Sequence, residues 1–273
     1  MRVAVLTLCR DRVEYTKFCF ESLRVNAGID YAHFVLDQGS QDGTWDYLLS
    51  IPLERRIRLA ENIGICPALN KLIDQGAVAG YDAVVRFDND CYVTQPNTLR
   101  TIAELTVKHN LILAPRVLGL RNPPPTIAEF SVDDHTILET TVLGGVFMAI
   151  PGVLFTRDGY RYDESNPPWA GDERICDWHC ARGGRCGYVE QFAVDHIDTT
   201  DGQLERYPDY FARRATEARL WEAHDPRIRW KNAVKRTLLH VPFLERLNEK
   251  HHWFYPPGSD WFAKKPPESH NRP

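Results

Sequence analysis

The sequence predicts an α/β protein with a mostly parallel sheet flanked by helices. Strand-like and helix-like stretches alternate through the first third of the chain with short connections, which is typical of right-handed βαβ units. The 273 residues, 43% of them hydrophobic and 26% charged, have the composition of a globular protein that can bury a sizeable core. We therefore expect one large domain, followed by a C-terminal appendage that is helical or irregular.

Apolar runs rich in β-branched residues predict the strands of the first half, and apolar residues spaced three and four apart predict the helices between them. The predicted strands are 3–8, 33–36, 57–60 and 83–87. The predicted helices are 15–25, 45–49 and 67–79, with Phe18 and Leu23 of the first helix facing the core. A dense turn cluster, 37–43, ends the second strand.

The middle of the chain is punctuated by proline and glycine. The segment 121–126 contains three consecutive prolines and can be neither a central strand nor a helix, so a loop over the sheet edge is expected there. Residues 140–150 predict a strand in which Gly144 and Gly145 mark a kink or a close backbone approach.

The last predicted elements of the domain are a helix over 171–182 and a strand over 188–194. This strand ends at Asp195 and His196. The composition then becomes charged, aromatic and interrupted by prolines, and we therefore place a boundary between 1–197 and 198–273.

Polar side chains follow several of the predicted strands. Asp88 and Asp90 come directly after one strand with a single residue between them, so both carboxylates can face the same point. Such oxygen ligands can hold Mg²⁺ or Mn²⁺ and leave positions for phosphate oxygens and water. Thr7, Asp37 and Asn62 lie at or just after other strand ends, where parallel sheets bind ligands. A simple turn is the alternative for the Asp pair, and this convergence favours a site.

Composition excludes several classes of protein. A net charge of −4 and a pI near 6.2 argue against a general nucleic-acid binder. The N-terminal apolar run is too short for a signal peptide, and no stretch approaches the length of a membrane-spanning helix. Seven scattered cysteines fit reduced thiols, and a cytoplasmic location is expected.

Three of these cysteines, with a nearby histidine, raise the question of a zinc site: Cys176, His179, Cys180 and Cys186. Cys176 and Cys180 suit only neighbours on one helix face, and no second pair with knuckle spacing exists. Buried free thiols are therefore the preferred interpretation.

Four motifs in this order resemble the inverting glycosyltransferases of family 2, which have the GT-A fold. The motifs are the turn cluster 37–44, Asn62 and Gly64 with Asn70, Asp88-Asn89-Asp90, and Gly171-Asp172-Glu173 followed by His196. The resemblance covers 1–197 and implies a nucleotide-binding half over 1–91 and an acceptor half over 92–197.

The resemblance also implies roles for individual residues. The residues expected to bind the nucleotide sugar are Thr7, Cys9, Arg10, Asp37, Asn62, Gly64, Asn70, Arg86, Asp88 and Asn89. A divalent cation, Mn²⁺ or Mg²⁺, is expected on Asp88, Asp90 and His196. The acidic pair Asp172 and Glu173 would supply the catalytic base, and Gly145 and Trp169 would border the sugar or the acceptor.

Each of these assignments has a structural alternative. Asp37 can cap its own loop, Asn62 can cap a helix, Asn70 can lie at the surface, the acidic pair can mark a helix start, and His196 can be a structural hydrogen-bonding residue.

The chain departs from the family pattern at three places. Leu69 stands where a basic residue is usual, so Arg10 or Arg86 would contact the phosphates instead. The acidic pair runs Asp then Glu, which leaves both carboxylates as candidates for the base. Ile175 replaces a further acid.

The resemblance implies transfer of a sugar from a nucleoside diphosphate sugar to an acceptor hydroxyl. The donor is expected to be linked to UDP. The acceptor is expected to be a glycan or a lipid-linked saccharide, as in polysaccharide biosynthesis. The Pro-rich loop 119–135 would close over the site. One rival is a sugar nucleotidyltransferase, although Cys9-Arg10-Asp11-Arg12 is not the glycine-rich basic loop such an enzyme needs. The other rival is a non-catalytic protein that binds nucleotides or carbohydrates.

The appendage contains one amphipathic segment, 227–247, in which basic residues flank an apolar stripe. Packing of this stripe on the catalytic domain is one interpretation. The other is a peripheral contact with anionic lipid at the inner face of the membrane, which would suit a lipid-linked acceptor.

Overall fold

The computed structural model describes residues 1–120, 124–165 and 171–198. Nearly all of them belong to one compact unit, formed by residues 1–119 and 126–199. Trp169, the prolines before it and the amphipathic segment 227–247 lie outside the described residues. Among the described residues, no helix has the length and apolar character needed to cross a bilayer.

Ten strands form one sheet in the described part of the chain. They are β1 (Val3–Cys9), β2 (Tyr31–Gln38), β3 (Arg56–Leu59), β4 (Ala83–Phe87), β5 (Cys91–Val93), β6 (Leu111–Leu118), β7 (Ala128–Val132), β8 (His135–Glu139), β9 (Phe147–Pro151) and β10 (Arg185–His196). Their order is β3-β2-β1-β4-β9-β6-β10-β8-β7, and β5 pairs with β10 off this path.

The helices that connect and cover these strands are α1 (Val13–Asn26), α2 (Thr44–Leu48), α3 (Ile65–Leu72), α4 (Thr98–His109), α5 (Val153–Thr156) and α6 (Gly171–Cys180). A short 3₁₀ turn, Leu53–Arg55, leads into β3, and a π-helical turn, Ile73–Ala77, continues α3.

The first half of the sheet is the predicted parallel arrangement. β1 pairs in parallel with β2 on one side and with β4 on the other, and β2 pairs in parallel with β3. Alternate residues of β1 are buried on opposite faces of the sheet. Ala4 and Leu6 pack in the core on one face, and Val3 and Val5 are buried on the other. Burial on both faces explains why these strands read as continuous apolar runs.

The second half of the sheet is mixed. β9 lies between β4 and β6 and runs antiparallel to both, so β6 and the parallel β10 keep the direction of β4. The sheet is therefore mostly parallel in strand direction, and the predicted α/β class is confirmed. The antiparallel β9 brings the residues that precede it to the same edge as the carboxyl ends of β1, β4 and β10.

Several sequence predictions need correction. The strand expected over 140–150 begins only at Phe147, because Gly144 and Gly145 belong to the approach to β9. The loop expected over 119–135 contains β7, which pairs with β8 as a hairpin. Phe18 does not face the core: it is 53% exposed and stacks on the ring of Tyr92.

Candidate active site

The turn after β4 carries the Asp pair. The backbone amide of Asp88 donates to the carbonyl of Val146 at 2.9 Å, and the amide of Cys91 donates to the carbonyl of Asp88 at 3.1 Å. The side chain of Asp88 is 39% exposed, whereas that of Asp90 is 4% exposed. Partial burial raises the pKa of Asp88 to about 6, and the neighbouring Asp90 charge adds to this rise.

Arg12 holds the inner part of this turn. Its guanidinium donates to Asn89 Oδ1 at 2.8 Å, to Asp90 Oδ2 at 2.8 Å and to Asp198 Oδ2 at 2.7 Å. The backbone of Arg12 is left-handed, with φ 67°, which is uncommon for a residue other than glycine. The Arg12 guanidinium thus binds three buried acceptors from a strained backbone, and such strain is typical of functional sites.

Asn89 and Asp198 differ from what the sequence predicted. The Asn89 amide is buried, and it also donates to Thr16 Oγ1 at 2.9 Å, so its side chain supports Arg12 rather than a nucleotide. Asp198 was not predicted, although it is only two residues beyond His196 at the end of the last strand. That short spacing was the available signal for it.

His196 closes the cluster from the end of β10. Its Nε2 lies 3.4 Å from Asp90 Oδ2, and the amide of Ile197 donates to the carbonyl of Asp90 at 3.0 Å. Burial alone would lower the pKa of His196, but the contact with Asp90 outweighs it and the pKa is raised. Its Nδ1 is buried and has no hydrogen-bond partner among the described residues.

Arg86 joins the Asp turn to the acidic pair at the start of α6. Its side chain is 5% exposed, forms an ion pair with Asp172 and lies 3.8 Å from Asp88 Oδ1. Asp172 also accepts a hydrogen bond from the amide of Gly145 at 2.8 Å. A Cβ at Gly145 would overlap the Arg86 guanidinium, so glycine is required for this close approach.

Glu173 is placed differently from its neighbour. It is exposed on the first turn of α6 and makes no hydrogen bond or ion pair within the described ranges. The backbone of this turn packs closely against α3, since a Cβ at Gly171 would lie 2.9 Å from Cys66 Sγ. The two acids therefore differ: Asp172 is half-buried and paired, whereas Glu173 is exposed.

The expected nucleotide side is organised around Asp37 at the end of β2. Asp37 is fully buried, is hydrogen-bonded by the Ser40 hydroxyl and amide, and lies 3.7 Å from Arg58. Burial raises its pKa, although these contacts oppose the rise. Ser40 Oγ also accepts from the amide of Asp11 at 2.7 Å, which ties the loop to the end of β1.

Other predicted nucleotide contacts have structural partners. Asn62 Oδ1 accepts from the amide of Gly64 at 2.8 Å, which is a local turn before α3. The helix cap given as its alternative is not formed, because the N-cap of α3 is Gly64 and has no side-chain cap hydrogen bond. Asn70 is buried rather than exposed, and it clamps the backbone of Tyr162 through both ends of its amide. The Thr7 hydroxyl lies 2.9 Å from His33 Nε2 and is fully buried.

Cys9 and Arg10 at the end of β1 also differ in access. The Cys9 thiol is buried, and burial raises its pKa, whereas Arg10 is exposed. Side-chain contacts with a nucleotide are therefore open to Arg10 and closed to Thr7, Cys9, Asn70 and Asn89.

The donor types present suit a divalent cation. Two carboxylates and an imidazole, Asp88, Asp90 and His196, are ligands that Mn²⁺ accepts. His196 Nδ1 is a buried polar atom without a partner among the described residues, and the Asp88 carboxylate is partly exposed. No three such side chains of the described residues are already gathered around one point. The chemistry of these three side chains therefore suits a divalent cation. In this structure, Asp90 is bound by Arg12.

Residues 4–125 match a family model described as Glycosyl transferase family 2. No curated protein sequence matches the chain.

Solved structures with a similar fold include three glycosyltransferases. TarS 1–349 from S. aureus in complex with UDP is 17% identical, with a TM-score of 0.55 over 71% of this chain and 60% of that chain. PcManGT, a mannosyltransferase from Pyrobaculum calidifontis in complex with GDP-Man and Mn²⁺, is 13% identical, with a TM-score of 0.59 over 91% and 83%. GalNAc-T7 with UDP, GalNAc and Mn²⁺ is 14% identical, with a TM-score of 0.57 over 74% and 45%.

The chain spans only part of these neighbours, and only 37% of the longer TarS structure. At such low identities the likeness establishes the fold, which is the GT-A arrangement.

Proposed function

Because residues 4–125 match the family model described as Glycosyl transferase family 2, we propose that this protein transfers a sugar from a nucleoside diphosphate sugar to an acceptor hydroxyl, with inversion at the anomeric carbon. The observation that carries the proposal is the position of Arg86 between Asp88 and Asp172. Asp88 lies on the turn that suits a diphosphate, and Asp172 lies on the turn that suits an acceptor. The buried Arg86 contacts both, so the two turns form one continuous site.

The nucleotide side would be formed by the loop that Asp37 caps. Asp37 is fully buried, so it would hold this loop through Ser40. The exposed Arg10 and Arg58, near the ends of the two strands that flank β2, would contact the nucleotide. A UDP-linked donor is the choice we favour, since TarS and GalNAc-T7 have UDP in their structures.

Asp88, Asp90 and His196 would hold a divalent cation, Mn²⁺ or Mg²⁺. When bound, the cation would neutralise the charge that builds on the leaving diphosphate. The protein's own contribution is to keep the ligands in place: Arg12 and the amide of Ile197 fix Asp90, and the amide of Asp88 is fixed by the carbonyl of Val146.

Glu173 is the general base that the geometry favours over Asp172. A base must reach the acceptor proton, and Glu173 is exposed on the first turn of α6, next to Asp172. Asp172 is engaged by Arg86 and the Gly145 amide, and this pairing stabilises its anionic form and makes it a weaker base. Asp172 would instead orient α6.

The acceptor would approach over Gly145 and the start of α6. We propose a glycan or lipid-linked saccharide, with Trp169 as a stacking platform, although Trp169 lies outside the described residues. A contact of segment 227–247 with the membrane surface would suit the lipid-linked case, and that segment also lies outside them.

A panel of nucleotide sugars incubated with the protein, with and without Mn²⁺, tests the proposal. A transferase releases nucleoside diphosphate, slowly with water and faster with an acceptor. A nucleotidyltransferase would instead release pyrophosphate from a nucleoside triphosphate and a sugar phosphate. Binding without any release would indicate the non-catalytic alternative, and absence of both binding and turnover would overturn the proposal.

A further inference from the structure

Three cysteine thiols meet between α6 and β10, at the end of the sheet opposite to the candidate active site. Cys176 and Cys180 lie one turn apart on α6, and Cys186 is the second residue of β10. Cys180 Sγ and Cys186 Sγ are 3.7 Å apart, and Cys186 also hydrogen-bonds Cys176. The helix-face pairing predicted from the sequence is therefore joined by a third thiol from the neighbouring strand.

The three thiols differ in access to solvent. Cys180 is the one exposed cysteine of the seven in the chain, whereas Cys176 and Cys186 are buried. An exposed thiol beside a second, buried thiol is the arrangement in which a first oxidation product can be resolved as a disulfide. Burial raises the pKa of Cys180, and its hydrogen bond with Cys186 opposes this rise. Access to solvent and the short distance to Cys186, rather than a low pKa, therefore distinguish Cys180 from the other cysteines.

The connection between α6 and β10 permits the two sulfurs to approach. Five residues separate Cys180 from Cys186, and Gly183 among them has a φ of 81°. The amides of Gly183 and Gly184 donate to the carbonyls of Cys180 and His179 at 3.0 and 3.1 Å, which holds this turn closed. A disulfide has an S–S bond of about 2.0 Å, and rotation of the exposed Cys180 side chain can supply the remaining approach.

We propose that Cys180 is a peroxide-reactive thiol that forms a reversible disulfide with Cys186. The Cys180 sulfur attacks one oxygen of hydrogen peroxide, the O–O bond breaks, and a sulfenic acid and one water result. The Cys186 sulfur then attacks the sulfenic sulfur, the S–O bond breaks, and a second water leaves. The two thiols are oxidised by two electrons, and the peroxide is reduced to two waters.

The test uses the full-length reduced protein in metal-free buffer, treated with hydrogen peroxide. Free thiols are counted, and the disulfide is located by mass spectrometry of a non-reduced digest. We expect the loss of two thiols, a peptide that links Cys180 to Cys186, and full recovery with dithiothreitol. The Cys19→Ala variant, which keeps the cluster, is expected to lose two thiols at the same rate.

The Cys180→Ser variant separates this proposal from general thiol oxidation. Because the substitution is at an exposed position, we expect the fold to be kept and thiol loss to slow at least tenfold. Thiol loss at the wild-type rate in this variant would overturn the proposal. So would a peroxide-treated protein in which Cys180 is found only as a sulfinic acid or in a disulfide between two molecules.

Discussion

One guanidinium carries much of the electrostatics of the candidate site. Arg12 contacts Asn89, Asp90 and Asp198, and both carboxylates are almost completely withdrawn from solvent. A buried carboxylate that loses its partner keeps the cost of desolvation and loses the compensating interaction. Arg12 therefore acts as a positioning residue that favours the ionised form of Asp90 and fixes its side chain.

We expect Arg12→Met to lower the free energy of unfolding by about 3–5 kcal/mol, because it leaves buried carboxylates unpaired. Urea denaturation monitored by circular dichroism measures this change. Arg10→Met is the matched control, since Arg10 is exposed two residues earlier, and a change within about 0.5 kcal/mol is expected there. Equal effects of the two substitutions would contradict the role given to Arg12.

The two acids at the start of α6 should respond differently to loss of charge. Glu173→Gln is expected to lower transfer about 10²–10⁴-fold with unchanged stability and nucleotide binding. Asp172→Asn is expected to cost about 1–3 kcal/mol of stability, because the buried Arg86 loses its anionic partner.

Initial-rate kinetics and urea denaturation of both variants check this prediction, with Glu104→Gln on the exposed side of α4 as a control. If Asp172→Asn folds normally and is the more impaired in catalysis, the roles of the two acids are reversed.

At the residue scale, the sequence located the acidic residues but not their partners. Asp90 and His196 lie 3.4 Å apart, because strand ends in a parallel sheet share an edge. The cation site expected on these residues and Asp88 stays a prediction. Asn70 was expected to bind the nucleotide sugar, with surface exposure as its alternative, and it is buried against Tyr162, a residue 92 positions away. Spacing along the chain carries no information about such distant hydrogen bonds.

At the scale of single elements, the approach to β9 depends on a glycine. Gly145 lies against the Arg86 guanidinium, whereas its neighbour Gly144 faces open space, where an added Cβ would have no neighbouring atom within 4 Å. Gly144 and Gly145 are thus adjacent positions that differ mainly in the space available for an added methyl group.

We expect Gly145→Ala to destabilise the protein by about 1–3 kcal/mol, because the added methyl group displaces Arg86 from its ion pairs. Gly144→Ala, the matched control, is expected to be close to neutral. Urea midpoints of the two variants give the comparison. A neutral Gly145→Ala variant would mean that Arg86 can shift freely, and the link between the Asp turn and α6 would then be weak.

Elements with strong local signals were predictable, and those defined by distant pairing were not. The first four strands were placed within two residues of their observed ends. β1, β2 and β4 are largely buried on both faces and form apolar runs, whereas β3 is a short, partly exposed strand. The hairpin of β7 and β8 was missed, since its exposed alternate residues and the prolines before it favour a loop. Phe18 fits an apolar helix face, yet it lies outward on Tyr92.

At the scale of the whole molecule, membrane contact remains a prediction from the sequence. If the basic amphipathic segment 227–247 binds anionic lipid, Lys235→Glu with Arg236→Glu should weaken co-sedimentation with phosphatidylserine vesicles at least tenfold. Lys264→Glu with Lys265→Glu makes the same change of charge outside the segment and should have a smaller effect. Absence of vesicle binding by the wild-type protein at low salt would favour packing on the catalytic domain.

The placement of β9 affects the order in which the chain can fold. β4 and β6 are complete once residue 118 has been made, but β9, the strand that joins them, comes only at Phe147–Pro151. Until then, each of these strands has an unpaired edge, and such edges pair readily with other chains. Because residues 147–151 must pair with strands from much earlier in the sequence, we expect closure of the sheet to be a slow step in folding. A nascent chain released before β9 would contain the β3-β2-β1-β4 sheet, the β7–β8 hairpin and an unpaired β6, and we expect it to aggregate rather than fold.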